Sequence, residues 1–158
     1  MVNCIDGSAR TWYYDNGTIT SQNWYRNGHR EGDLPAEIWY YINGAIKLRY
    51  WYRDGRRHRE WDLPAWIDYH DNGTIRSQHW YHYDRLHRDG DGPAKISYYM
   101  NGNICEQKWY RDGRLCRQGD GPACVDYYES GIIKYESWYH DGRWHHMICY
   151  HENGAIMS

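Results

Sequence analysis

Trp-Tyr pairs recur at residues 24–25, 51–52, 80–81, 109–110 and 138–139, 29 residues apart after a first spacing of 27. A fixed period of this length restricts the chain to a tandem array, in which each unit is one small element that buries its apolar face against the next. The punctuation residues obey the same period. All four prolines (Pro35, Pro64, Pro93, Pro122) fall in one column, inside a D-[LG]-P-A segment, and the 16 glycines fall in recurring columns. The short first spacing is a two-residue deletion, where WYRNG runs straight into HREGDLPA while the next unit reads WYRDGRRHREWDLPA.

Each unit carries two turn signals. The first is Asn16-Gly17, Asn43-Gly44, Asn72-Gly73, Asn101-Gly102 and Asn153-Gly154, with Ser130-Gly131 as its variant. Asn-Gly predicts a two-residue type I′ hairpin, which needs positive φ at both central residues. The second is Asn27-Gly28, Asp54-Gly55, Asp112-Gly113 and Asp141-Gly142. Tyr83-Asp84 stands in its place in the remaining unit, where Asp tolerates the left-handed region. Residues flanking the first signal alternate, as in Ala94, Ile96 and Tyr98, which is the period of a half-buried strand. On the returning segment Ile104 and Tyr110 share parity, so Trp109 faces the other way unless a bulge intervenes.

The expected fold is therefore all-β: an elongated single-layer antiparallel array of β-hairpins over residues 1–158, about five units, with half-units at either end acting as caps. At ~4.8 Å per strand, five two-stranded units make a rod of roughly 50 Å. Stability must come from contacts between adjacent units. Composition agrees. Leu, Ile and Val number only 20 and Phe is absent, but 10 Trp and 18 Tyr supply the apolar area.

The pattern Y-Y-x-N-G-x-I followed by W-Y-x-D-G resembles the MORN-repeat superfamily. It is most similar to a longer variant unit, H-R-x-x-G-P-A-x-I-x-Y-Y-x-N-G-x-I-x-x-x-x-W-Y-x-x-G. Such units resemble those of bacterial antitoxin-type proteins and of large amoeba-infecting DNA viruses of the marseillevirus kind. The resemblance covers the whole chain. It implies a β-hairpin array with a scaffold or interaction role and no shared active site.

Several classes of chemistry find no support. The net charge of −2 gives no general reason to expect nucleic acid or an acidic membrane. No stretch approaches the ~20 apolar residues of a membrane span, and the start has no signal-peptide pattern. Cys4, Cys105, Cys116, Cys124 and Cys149 form no CxxC pair, which suits reduced thiols in a cytosol-like compartment, or a virion or host compartment if the protein is viral. His29, His58, His87 and His145 share one column with Cys116, followed by Arg30, Arg59, Arg88 and Arg117 and then by Asp33, Asp62, Asp91 and Asp120. Groups that recur in every unit read as a turn stabilised once per unit, with Asp bonding backbone N–H groups and Arg pairing with Asp. Asp89-Gly90-Asp91-Gly92 lacks the remaining acidic positions of a calcium loop. No residue is assigned to catalysis, to a cofactor or to a metal.

The reading is a non-catalytic scaffold or protein-interaction module with a protein partner, no membrane, and end-to-end self-association through open strand edges. Two alternatives are a nucleic-acid binder using a Tyr, Trp and Arg ladder and an antitoxin-like neutralising partner. Four Trp residues depart from the repeat and are the candidates for a partner surface: Trp39, Trp61, Trp66 and Trp144. Replacing Trp61 and Trp66 with Ser is expected to leave folding intact and to abolish partner capture.

Overall fold

A computed structural model of the chain describes residues 9–24 and 34–157. Cys4, Gly7, Ser8, Tyr25, Asn27-Gly28, His29, Arg30, Gly32 and Asp33 lie outside the described residues.

The strands are β1 (Ala9–Tyr13), β2 (Ile19–Trp24), β3 (Glu37–Tyr40), β4 (Ile46–Tyr50), β5 (Tyr52–Arg53), β6 (Arg56–Arg57), β7 (Trp66–Tyr69), β8 (Ile75–His79), β9 (Tyr81–His82), β10 (Arg85–Leu86), β11 (Lys95–Tyr98), β12 (Ile104–Lys108), β13 (Tyr110–Arg111), β14 (Arg114–Leu115), β15 (Cys124–Tyr127), β16 (Ile133–His140) and β17 (Arg143–Cys149). Eleven of them form one antiparallel sheet in chain order: β1-β2-β3-β4-β7-β8-β11-β12-β15-β16-β17. The pairs β5–β6, β9–β10 and β13–β14 are separate two-stranded hairpins. No helix occurs among the described residues, so the expected all-β hairpin array is the observed fold.

In an uncrossed meander the two kinds of turn must sit on opposite long edges. The Asn-Gly turns line one edge, and the small hairpins with the loops that follow them line the other. After β16 the chain has no GDGPA segment, so β16 and β17 run on together (Tyr139 opposite Trp144, His140 opposite Arg143) and the last small hairpin merges with the main sheet.

The Asn-Gly turns depart from the type I′ geometry expected of them. At the Asn-Gly turns only glycine has positive φ, at 83° for Gly17 and 82° for Gly44. Gly44 N–H donates to Tyr41 O at 2.9 Å, and Tyr41 N–H to Ala45 O at 2.8 Å. This is a type I turn closed by a glycine bulge, and Asn43 Oδ1 caps it by accepting from Ala45 N–H at 3.0 Å. The type I′ geometry belongs to the small hairpins: Asp54 and Gly55 at 50° and 72°, Asp112 and Gly113 at 47° and 79°. Tyr83 and Asp84 adopt it too, at 46° and 68°, without any glycine.

A bulge also settles the parity question. Ser97 pairs with Glu106 while Tyr98 pairs with Ile104, which leaves Cys105 as the extra residue. The same shift occurs in β1–β2, β3–β4, β7–β8 and β15–β16. Beyond the bulge the parity flips, so Trp109 lies on the same face as Ile104 and Tyr98. On this Trp face Trp51, Ala65 and Ile67 form a buried cluster with Tyr69 and Ile75 against it. Ala65, Ala94 and Ala123 are fully buried, so this column has no space for a larger side chain.

The Tyr-Tyr pairs tie units together in both directions. The first Tyr reaches back: Tyr98 OH donates to Gln78 Oε1 and Tyr127 OH to Gln107 Oε1, each at 2.7 Å. The second reaches forward: Tyr41 OH donates to Tyr69 O at 2.8 Å and Tyr99 OH to Tyr127 O at 2.7 Å. Where Arg49 replaces the Gln, the direction inverts and Arg49 Nη1 donates to Tyr69 OH at 3.2 Å.

Candidate interaction surface

Most groups with chemical potential are committed to the junctions between units. Trp80 Nε1 donates to Asp62 O at 2.9 Å, Trp109 Nε1 to Asp91 O at 3.0 Å and Trp138 Nε1 to Asp120 O at 2.8 Å. Each acceptor lies in the preceding unit. Arg88 lies 4.2 Å from the Trp80 ring centre, and Arg117 the same distance from that of Trp109. The guanidinium of Arg88 also forks onto Asp62, through Nε at 2.8 Å and Nη2 at 2.7 Å, and Arg117 holds Asp91 in the same way at 3.2 and 3.0 Å. Arg does pair with Asp, but with the Asp of the preceding unit. One Arg is thus shared among its own Trp, its neighbour's Asp and the carbonyl of Pro93 at 3.3 Å. A β-carbon on Gly92 would come within 2.7 Å of Arg88 Nε, so glycine makes room for the guanidinium.

Against this background the four candidate Trp residues separate. Trp66 is packed: its ring stacks on His79 at 4.7 Å, lies 5.3 Å from Tyr50 and runs parallel to Tyr81 at 6.4 Å. It belongs to an aromatic shelf on the face opposite the Trp column, so its replacement by Ser is now expected to cost stability. Trp39 is on that face too, 37% exposed, with Nε1 donating to Glu37 Oε1 at 2.5 Å. Trp144 is 62% exposed on β17, opposite Tyr139. Trp61 is 79% exposed, and no hydrogen bond or ring contact holds its indole.

Among the described residues, Trp61 is also the one bulky residue held at a glycine position. Its φ is 58°; the corresponding residues of the next two units are Gly90 and Gly119, at 73° and 74°. A left-handed L-residue costs roughly 1–2 kcal/mol. Asp62 follows at 54°, and Leu63 N–H closes the turn onto Glu60 O at 3.3 Å. This loop has Leu63 where the next two units have Gly92 and Gly121, and it takes a different path. The outcome is an indole held out in solvent at a conformational cost that the next two units avoid with Gly90 and Gly119.

Beneath Trp61 lies a cleft of about 140 Å³, walled by His58, Glu60, Trp80, His82, His87 and Asp89 among others. His58 and His87 belong to the repeated histidine column; the structure adds His82, whose ring lies 5.2 Å from that of His58 and 5.7 Å from that of His87. Tyr83 stacks on His58 at 4.7 Å. His58 is buried, and neither ring nitrogen makes a hydrogen bond; Glu60 Oε1 lies 3.3 Å from Nε2 without the needed alignment. Burial, then His82 and Arg53, push its pKa down. No group of three potential ligands could hold a metal ion among the described residues. His82 shares its column with Arg53, Arg111 and His140, and Tyr83 departs from a column that otherwise carries Asp54, Asp112 and Asp141. Cys124 is buried, its thiol pushed up to about 12 by burial and by Asp126, so it stays protonated at neutral pH.

No helix among the described residues is long and apolar enough to cross a membrane. No protein-family model matches the chain, and no curated protein matches it.

Proposed function

We propose that the chain is a non-catalytic, repeat-built module that binds a protein partner through the loop carrying Trp61. The observation that carries this reading is the conformation of Trp61 itself. An exposed indole in a left-handed turn, where two other units use glycine, lowers stability and makes no internal contact that offsets it. Exposed Trp is also the residue type most enriched at binding hot spots. The remaining Trp, Arg and Asp of the repeat support a scaffold role, because their contacts run from unit to unit. The resemblance of the unit to the long MORN variant supports the same role.

Replacing Trp61 with Gly tests this directly. The variant restores the glycine of the neighbouring units and is expected to fold with unchanged or higher stability, by up to about 1 kcal/mol. Partners retained by the immobilised wild-type chain from its native cells, read by mass spectrometry, are expected to be lost. An unchanged partner set with an unchanged melting curve would remove Trp61 from the proposal.

A further inference from the structure

The units repeat one contact, an arginine laid on an indole. Arg59 lies 3.9 Å from the Trp51 ring centre, and Arg88 and Arg117 lie 4.2 Å from those of Trp80 and Trp109. In the last two the guanidinium also forks onto a carboxylate of the preceding unit, Asp62 or Asp91. Trp61 has no arginine on its ring among the described residues. It lines one cleft with a carboxylate, Asp89, that no described Lys or Arg pairs with.

That cleft, of about 140 Å³, has five charged residues in its walls besides the histidines: Arg59, Glu60, Asp62, Arg88 and Asp89. Four of them are engaged within the chain. Arg59 covers Trp51 and donates to Pro64 O at 3.2 Å. Glu60 pairs with Arg53, and Asp62 pairs with Arg88. Asp89 remains, its side chain 98% exposed, with His87 Nε2 at 3.3 Å. His87 Nδ1 accepts from Asp112 N–H at 3.2 Å, so the ring proton sits on Nε2 and is donated to Asp89. The imidazole that holds Asp89 in place is therefore neutral and leaves the carboxylate charge uncompensated. With its histidines neutral, the cleft has three carboxylates against two guanidinium groups. Arg56 and Arg85 of the adjoining hairpins are not among its walls. His58 in the same wall is buried with no hydrogen bond at either ring nitrogen, so the chain's own groups do not satisfy the cleft.

We infer that the partner held by Trp61 presents an arginine, which lays its guanidinium on the indole and pairs with Asp89. This rests on the binding reading above and names the chemistry of what is bound. The volume admits the end of one side chain and falls below the roughly 300–1,000 Å³ of a small-molecule site. An acidic side chain would meet a net-negative wall. An apolar one would take Asp89 out of water without a cation to pair it. A guanidinium does neither: its plane stacks on an indole, and its paired donors fork onto a carboxylate. A lysine ammonium pairs only as a point charge and binds less well. The partner's arginine thus repeats, across the interface, the contact that Arg88 makes on Trp80 and Asp62 within the chain.

N-acetyl-arginine amide tests this, titrated into the full chain at pH 8 and followed through the indole N–H signals by NMR. The Trp61 signal is identified by its loss in Trp61→Gly. It is expected to shift saturably with the arginine derivative and less with the lysine one. It should stay in place with the citrulline derivative, which keeps the plane and lacks the charge, and with the glutamate derivative. Asp89→Asn keeps an acceptor for His87 and should weaken arginine binding roughly two- to fivefold, the range for an exposed ion pair. No shift with arginine would overturn the inference, as would an equal shift with citrulline or glutamate, or an Asp89→Asn chain that binds arginine as tightly as the wild type. A larger shift with lysine would overturn the guanidinium in favour of an ammonium. Retention of partners from native cells separates the inference from the reading beneath it. Partners lost in Trp61→Gly and kept in full by Asp89→Asn, with no response to the arginine derivative, would remove the arginine and leave the Trp61 site standing. Partners kept by Trp61→Gly would remove both.

Discussion

Replacement of Trp80 by Ala is expected to lower stability by about 3–5 kcal/mol, the range for truncating a buried aromatic, out of a total of roughly 5–15 kcal/mol for a typical chain. The ring is almost wholly buried. Its loss removes more than apolar area. Asp62 O is left without the indole donor, and Arg88 loses the face that it covers. Arg88 is then held only by Asp62 and the Pro93 carbonyl. Because each unit touches only its neighbours, the damage should concentrate at the junction between the second and third Trp-Tyr units. Urea unfolding followed by tryptophan fluorescence should show a lower midpoint. Hydrogen exchange should speed up most in the strands that flank residue 80. A midpoint shift no larger than that of an exposed-site control such as Trp61→Gly would contradict the account of the indole as the joint between units.

Acidification is expected to destabilise the fold well before the carboxylates titrate, and His79 is the main cause. Its ring stacks on Trp66 at 4.7 Å and lies 6.3 Å from Tyr81. Nδ1 is buried without a hydrogen bond. Burial, with Lys95 adding to it, lowers the pKa from 6.5 to about 4. In the unfolded chain the imidazole takes up its proton near the ordinary value. The unfolded state therefore binds the proton first. The associated stability is complete above pH 6.5 and is lost as the pH falls towards 4. A depression of this size corresponds to on the order of 3 kcal/mol over that window. His58, lowered in the same direction, steepens the same slope. Replacing His79 with Phe keeps a ring in the stack and removes the titration. The variant's stability, measured by urea midpoint at intervals from pH 7.5 to pH 4, should fall less steeply than the wild type. Parallel curves would show that the imidazole is protonated and solvated in the native state.

The hairpin array was legible because its signals are local and repeated. Glycine and proline columns mark the turns, and a two-residue period marks the strands. The turn types were not legible. Asn-Gly is compatible both with a type I′ turn and with a type I turn closed by a glycine bulge, and the bulge opposite Tyr98 and its counterparts selects the second. That bulge also decided which face Trp109 occupies. Among the four aromatic candidates, the pattern identified each as irregular but could not separate them. Trp66 is cross-strand to His79, a partner from the next strand, whereas the Trp61 indole projects into solvent from its loop.

The order of the strands, the all-antiparallel topology and the two distinct edges follow from the repeat, since short connections between alternating segments leave an extended chain few other ways to pair. Partnerships between units did not follow from it. That Arg88 closes on Asp62 and not on a nearer acid, and that His82 joins His58 and His87, both depend on distances across the sheet. Those distances are set by the stacking of one unit on the next, so only the assembled sheet could supply them.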